Sequence, residues 1–217
     1  MRLSEGSGWR ISPDGKWVIA QLPGADQPLR VIPIGAGEAR DITHSKLEHS
    51  QPAWFPDGKR VLFIGTESGH GPRDYILDID SSKETPVTPE GVRGTVLSPD
   101  GKFAVVTDAH SEQRIWSLEK GDSQPIKGLE SKERAFAWTA DAKELYISPA
   151  GGVGTLPRRV SLLEPVSGRR RPWKTLAPAD ITGVTNISFP AITPDGRGYA
   201  YTFNRKLGDL YVIRGLK

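Results

Sequence analysis

The residues that could move a proton or hold a metal are few, and their spacing decides most of what they can do. Four histidines, His44, His49, His70 and His110, are present and cysteine is absent. Thiolate ligands, disulfides and a cysteine nucleophile are therefore excluded. Only His44 and His49 stand near a ligand-like interval, and they fall on a loop rather than one face of a helix, which argues against zinc. "DIDSSKE" at 78–84 alternates its oxygens as a calcium loop would, but lacks glycine at the sixth position and glutamate at the twelfth. A nucleophile elbow reads Gly-x-Ser-x-Gly; "EGSGW" at 5–9 and "GTESGHG" at 65–71 have the wrong spacing. "RDYILD" at 73–78 is not a kinase catalytic loop, and "PAGGVGTLP" at 149–157 lacks the Gly-Lys-Ser/Thr of a phosphate loop. "GRRRPWK" at 168–174 is the densest basic run; it suits a phosphate contact, or equally an outer edge strand whose charges discourage sheet-to-sheet association. No motif here requires a metal or cofactor.

The elements that carry these residues repeat. "ISPDGKWVIA" at 11–20 returns as "FPDGKRVLFI" at 55–64, "LSPDGKFAVV" at 97–106, "WTADAKELYI" at 138–147 and "ITPDGRGYAY" at 192–201. Asp14, Asp57, Asp100, Asp141 and Asp195 are thus separated by 43, 43, 41 and 54 residues, an array with one insertion between Ala142 and Pro194. Each unit centres on a turn. Proline fixes φ (Pro13, Pro56, Pro99, Pro194), aspartate bonds its own backbone, and glycine supplies positive φ (Gly15, Gly58, Gly101, Gly196). Ile11, Trp54, Leu97, Trp138 and Ile192 precede the aspartates by three residues, as the last buried position of an incoming strand. The runs "VIA", "VLF", "AVV", "LYI" and "YAY" follow as buried strands. Lys16, Lys59, Lys102, Lys143 and Arg197, two residues after each aspartate, read as solvated turn charges with weak ion pairs.

A second strand pair follows in each unit: "LRVIPI", "DYILDI", "RIWSLE", "RVSLLE" and "DLYVIR", four of them leading into a short outer strand such as "ARDIT", "TPVT" or "PIKGL". Four strands per unit of about 42 residues is propeller-blade spacing, and no ten-residue helical stripe interrupts it. The expected fold is all-β, a propeller of four-stranded antiparallel blades with five repeats visible at roughly 6–45, 51–88, 94–129, 135–176 and 188–217.

The unit of strand, Ser-Pro-Asp-Gly-Lys, apolar strand and later "DLYV" resembles the WD40-like repeat of TolB-type β-propellers over nearly the whole chain. The fourth copy departs with Ala140 and Ala142 for proline and glycine, which leaves its turn type open. The ending from "WKTLAPADITGV" to "DLYVIRGLK" also resembles the C-terminal propellers of bacterial serine/threonine protein kinases or winged-helix regulators. The resemblance implies part of a six- or seven-bladed ring. Residues 1–4 read as the stub of a closing strand, too short beside the other outer strands, so the expectation is truncation before Met1 rather than a closed five-bladed ring.

The chain holds 217 residues, 36% hydrophobic, with 24 glycines and 18 prolines for its turns. A formal charge of +3 is too small a basic excess for nucleic-acid contact. "MRLSEGSGW" has no apolar h-region and no run of eighteen apolar residues occurs, so neither a signal peptide nor a membrane-spanning helix is expected. Compartment stays open: extracytoplasmic if the parent resembles a membrane kinase or TolB, cytoplasmic otherwise.

Propellers keep function in rim loops around the channel. The loops between second and third strands, with those joining successive blades, gather His49, His70, Arg73, His110, Glu112, Arg134, Asp180 and Arg205 toward one rim. Without a catalytic constellation, the expected function is a non-catalytic scaffold for a protein, peptide or small ligand, the sensor or interaction module of a larger bacterial protein. The alternatives are a hydrolase or lyase, or the propeller of a prolyl-oligopeptidase-type peptidase. Against the last stands the order of parts: in that group the hydrolase follows the propeller, whereas this chain ends on a blade.

Overall fold

The structure is a computed structural model and describes residues 7–24, 27–150, 156–193 and 195–208. Every regular element in these residues is a strand. Blade one consists of β1 (Ser7–Ile11), β2 (Trp17–Gln21), β3 (Leu29–Pro33) and β4 (Arg40–Asp41), antiparallel and hydrogen-bonded in that order. Blade two follows with β5 (Glu48–Trp54), β6 (Arg60–Thr66), β7 (Arg73–Asp78) and β8 (Lys83–Pro86). Blade three has β9 (Arg93–Leu97), β10 (Phe103–Thr107), β11 (Gln113–Ser117) and β12 (Ser123–Pro125). Blade four has β13 (Glu133–Trp138), β14 (Leu145–Pro149), β15 (Arg158–Leu163) and β16 (Arg170–Leu176). The fifth repeat contributes β17 (Val184–Ile187), β18 (Ala191–Ile192), β19 (Tyr199–Ala200) and β20 (Phe203–Arg205). Here β17 pairs with β20 and β18 with β19, so the four pieces make one interrupted hairpin. Its "DLYVIR" strand and Pro194 lie outside the described residues. The expected all-β, four-stranded antiparallel blade is the architecture found.

The turns form for a local reason. In blade one the Ser12 hydroxyl donates to Asp14 Oδ1 at 2.5 Å, while Asp14 Oδ1 accepts from Lys16 N and Ser12 Oγ accepts from Trp17 N. Ser98, Thr139 and Thr193 repeat the hydroxyl-to-carboxylate bond to Asp100, Asp141 and Asp195. Blade two lacks the hydroxyl because Phe55 takes its place. There Arg60 supplies the missing donor, its Nε 2.7 Å from Asp57 Oδ2 and its guanidinium 4.4 Å from the Phe55 ring centroid. Ala142 resolves the question left by the fourth repeat: it holds φ +56, in the same left-handed region as Gly101 at +70. An L side chain there costs about 1–2 kcal/mol, so sequence departs from the pattern while the turn does not.

Burial follows strand alternation, in which successive side chains point to opposite faces. The residue five after each turn aspartate faces the next blade: Ile19 packs with Val61, Phe63 and Leu77 of blade two. Leu62 packs with Ala104, Val106 and Trp116 of blade three, and Val105 with Leu145 and Ile147 of blade four. Tyr146 packs with Ile187 and Tyr201 of the hairpin. The four core clusters are thus the four junctions between successive blades, and no blade has a core of its own. Full burial of side chains such as Leu62 and Phe63 stabilises these junctions by roughly 1.5–3 kcal/mol each.

Candidate functional site

Polar side chains tie the blades together at the rim where the loops between second and third strands meet the linkers between blades. Gln21, ending β2, donates from Nε2 to the His49 carbonyl at 2.7 Å. Asp74, in β7, accepts the Gly94 amide on both oxygens at 2.9 and 3.0 Å. Gln113, opening β11, donates to the Ala135 carbonyl and accepts the Ala135 amide. Arg158, opening β15, donates from Nε to the Ile187 carbonyl at 2.7 Å. Each tie reaches forward to the first strand of the following blade. Gly94 is glycine because of the neighbouring strand of its own blade: a Cβ there would lie 2.4 Å from the Val105 carbonyl oxygen in β10.

Two ties are charged or chargeable and buried. Asp74 is fully buried, and desolvation pushes its carboxyl up to about 8 against the opposing pull of the Gly94 amide and Arg93. Arg158 is 2% exposed, and burial lowers its pKa. These residues were not singled out from the sequence. The available signal was a polar residue heading an otherwise apolar strand: Asp74 before "YIL", Gln113 before "RIW", Arg158 before "RVSLL".

The rim residues expected from sequence divide by blade rather than converging. At blade two, His70 Nδ1 lies 3.4 Å from Glu90, and Arg73 Nη2 lies 2.5 Å from Glu67, which also accepts the Tyr75 hydroxyl at 2.6 Å. The Tyr75 and Arg73 hydrogen bonds hold the Glu67 carboxyl below the usual range. At blade three, His110 and Glu112 are exposed, and their backbone amides wrap Asp108 Oδ1. Arg134 donates to the carbonyls of Ser131 and Glu133, closing its own loop. Arg205 Nη1 pairs with Asp180 at 3.2 Å, both members of the expected set.

His49 departs from the expected exposed rim. It is 1% exposed, turned inward on β5 where the register shifts between Ser50 and Ala53 and Gln51 takes φ +50. Its ring lies 5.1 Å from that of Phe63, and Nε2 lies 3.5 Å from Ser45 Oγ and 3.3 Å from Glu84 Oε1. Desolvation raises the Glu84 pKa, but the bonds from His49 and Ser45 outweigh it and leave the carboxyl lowered. Serine and carboxylate meet the same ring nitrogen. A catalytic relay needs them on opposite nitrogens, so this cluster has the members of a triad without its geometry.

The basic run on β16 lies on an outer strand, as edge charges would. Arg169 pairs with Glu164 at 3.2 Å, Arg170 with Glu133 at 2.5 Å and Arg171 with Glu144 at 2.6 Å. Three arginines each paired with a carboxylate hold no spare charge for a phosphate. Among the described residues no group of three or more histidine, aspartate or glutamate side chains is placed to hold a metal, and no helix is long and apolar enough to cross a membrane.

Comparison with solved structures defines the class: this is a TolB-type β-propeller fold. TolB from Acinetobacter baumannii superposes with a TM-score of 0.62 at 19% identity, covering 89% of this chain and 45% of that one. A prolyl endopeptidase superposes with a TM-score of 0.54 at 15% identity, covering 79% of this chain and 29% of that one. No protein-family model matches the chain. Among curated proteins it is 24% identical to dipeptidyl-peptidase 5 of Porphyromonas gingivalis, over 98% of this chain and 31% of that protein. Dipeptidyl-peptidase 5 of Porphyromonas endodontalis gives 27% over 95% of this chain and 30% of that protein. The uncharacterised peptidase YuxL of Bacillus subtilis gives 30% over 64% of this chain and 21% of that protein. The chain therefore spans a third or less of the length of the curated relatives it matches.

These relatives overturn the reading as a non-enzymatic scaffold or sensor module. They are named peptidases, the alternative that sequence reasoning ranked second. That ranking rested on the chain ending at a blade, and a chain that spans a third of its relatives cannot carry such an argument.

Proposed function

We propose that this chain is the propeller portion of a peptidase. The observation that carries the reading is the pairing of coverages: two dipeptidyl-peptidase 5 sequences align along 98% and 95% of this chain, while it accounts for 31% and 30% of theirs. On this reading the bond-breaking residues lie in sequence beyond these 217. The propeller then contributes its polar rim, where Glu67, His70, Arg73 and Glu90 of blade two face a peptide or the hydrolytic part of the same polypeptide. The test is to express the longer polypeptide that contains this chain and assay it with a panel of dipeptidyl-methylcoumarin amides. Release of the fluorophore by the long form, and none by residues 1–217 alone, is expected. A long form that hydrolyses no member of the panel, nor longer peptides, overturns the reading.

A further inference from the structure

Gln21, Asp74, Gln113 and Arg158 reach forward from one blade to the backbone of the next, and the fourth differs from the others in kind. Gln21 and Gln113 are neutral amides, and Asp74 is held protonated by burial up to about pH 8. Arg158 cannot shed its charge in the same way, since a guanidinium stays protonated throughout the working range of a protein. Yet all its acceptors are neutral: the Ile187 carbonyl on Nε, and Ser148 Oγ at 3.0 Å with the Pro149 carbonyl at 2.8 Å on Nη1. Among the described residues Nη2 has no acceptor, and no carboxylate lies within ion-pair distance of the guanidinium. At two other junctions a neutral glutamine supplies the donor to the carbonyl of the next strand. A buried charge with neutral partners is costly unless something of opposite sign completes it.

The surroundings say what would complete it. The Phe189 ring covers one face of the guanidinium at 4.5 Å, stacks on Phe136 with centroids 5.0 Å apart, and remains 37% exposed. A planar cation with a spare nitrogen beside a solvent-facing ring matches a planar anion that carries an apolar neighbour. We propose that Arg158 and Phe189, at the junction of blade four with the β17–β20 hairpin, form a docking site for a carboxylate borne next to an apolar group, as at the C-terminus of a peptide ending in an apolar residue. Nη2 engages the carboxylate, and Phe189 packs on the adjoining side chain. The site stands apart from the peptidase reading, because binding is read without hydrolysis.

Equilibrium dialysis of the 217-residue chain against N-acetyl-Ala-Phe as free acid, the same compound as its C-terminal amide, and sodium acetate tests this. The free acid is expected to bind at least tenfold more tightly than either comparison ligand. Arg158→Gln, which keeps a donor for the Ile187 carbonyl, is expected to bring the acid down to the affinity of the amide. Arg158→Lys keeps the charge without the planar fork and is expected to fall between. Phe189→Ala, a change at a part-exposed ring, is expected to weaken the acid severalfold while leaving acetate unchanged; it serves as the deciding variant if Arg158→Gln does not fold. Equal affinity for acid and amide, an unchanged affinity in Arg158→Gln or Phe189→Ala, acetate binding as tightly as the peptide acid, or no saturable binding of any ligand each overturns the proposal.

Discussion

Blade two and the fifth-repeat hairpin share a turn and little else. Asp57 and Asp195 each accept the amide two residues on, and Gly58 and Gly196 take φ +67 and +69. Beyond the turn, Val61, Leu62 and Phe63 of blade two are completely buried, facing blade one and blade three alternately. The corresponding Tyr199 is 41% exposed with one ring edge against Trp173 of blade four, Ala200 is exposed, and Tyr201 is packed back toward blade four. The turn is therefore a property of six residues, whereas the strand's burial belongs to its neighbours on both sides. In a repeat fold, stability is conferred at the interfaces between units rather than within them.

The largest test of that contrast is a pair of truncations. Phe63→Ala empties space between the His49 and Tyr75 rings and is expected to cost about 3–5 kcal/mol, against under about 1 kcal/mol for Tyr199→Ala. Urea unfolding of both variants gives the comparison, and equal losses would break it.

Next in size is pH. The native Asp74 carboxyl titrates near 8, whereas in the unfolded chain an aspartate loses its proton near 4. Between those values the native state holds a proton that the unfolded state lacks, so this residue's contribution to stability declines as pH rises from about 4 to 8 and levels off above. The decline is expected to be on the order of a few kcal/mol, and Asp74→Asn should abolish it. Asp195 in the hairpin has the opposite sign. The Thr193 hydroxyl and the Arg197 amide lower its pKa, so the stability it adds is present above about pH 4 and fades as acid protonates it. Denaturant titrations from about pH 2 to about pH 8 of wild type, Asp74→Asn and Asp195→Asn resolve the two slopes, the second at the acid end.

Two glycine changes probe the turn shared by all repeats. Ala142→Gly relieves an L residue at φ +56 and is expected to stabilise by about 1 kcal/mol, while Gly196→Ala at φ +69 is expected to lose a similar amount. Matching magnitudes of opposite sign in blade four and in the hairpin would establish that the turn is indifferent to its blade. Smallest is Arg171→Ala on the outer strand, whose exposed pair with Glu144 is expected to contribute under about 1 kcal/mol and to weaken in salt.

Much of the fold was legible because its signals are local. Pro-Asp-Gly between apolar runs identifies the turn, and period-two alternation identifies the faces, so the pattern from Ile11 to Ala20 already describes a hairpin. The ties were not legible in the same way. Gln21, Asp74, Gln113 and Arg158 meet partners 28, 20, 22 and 29 residues further on, in another blade, and no periodicity within a strand announces such a contact. His49 misled for a related reason: the irregularity of β5 at Gln51 turns inward a side chain that a loop-centred reading places at the surface. The peptidase propeller stood only as an alternative because the end of the chain on a blade was weighed against it, and a chain that spans a third or less of its curated relatives cannot carry that argument.

The direction of the ties bears on where the molecule can be divided. Every one of the four runs from a residue earlier in the chain to backbone later in it, at the opening strand of the following blade. Trp54 and Trp138 reach the other way, from the opening strands of blades two and four to the carbonyls of Arg10 and Val96 in the blades before them. Neighbouring blades therefore lend each other side chains across a shared seam, and a cut between two blades would strand donors and acceptors on both sides of it.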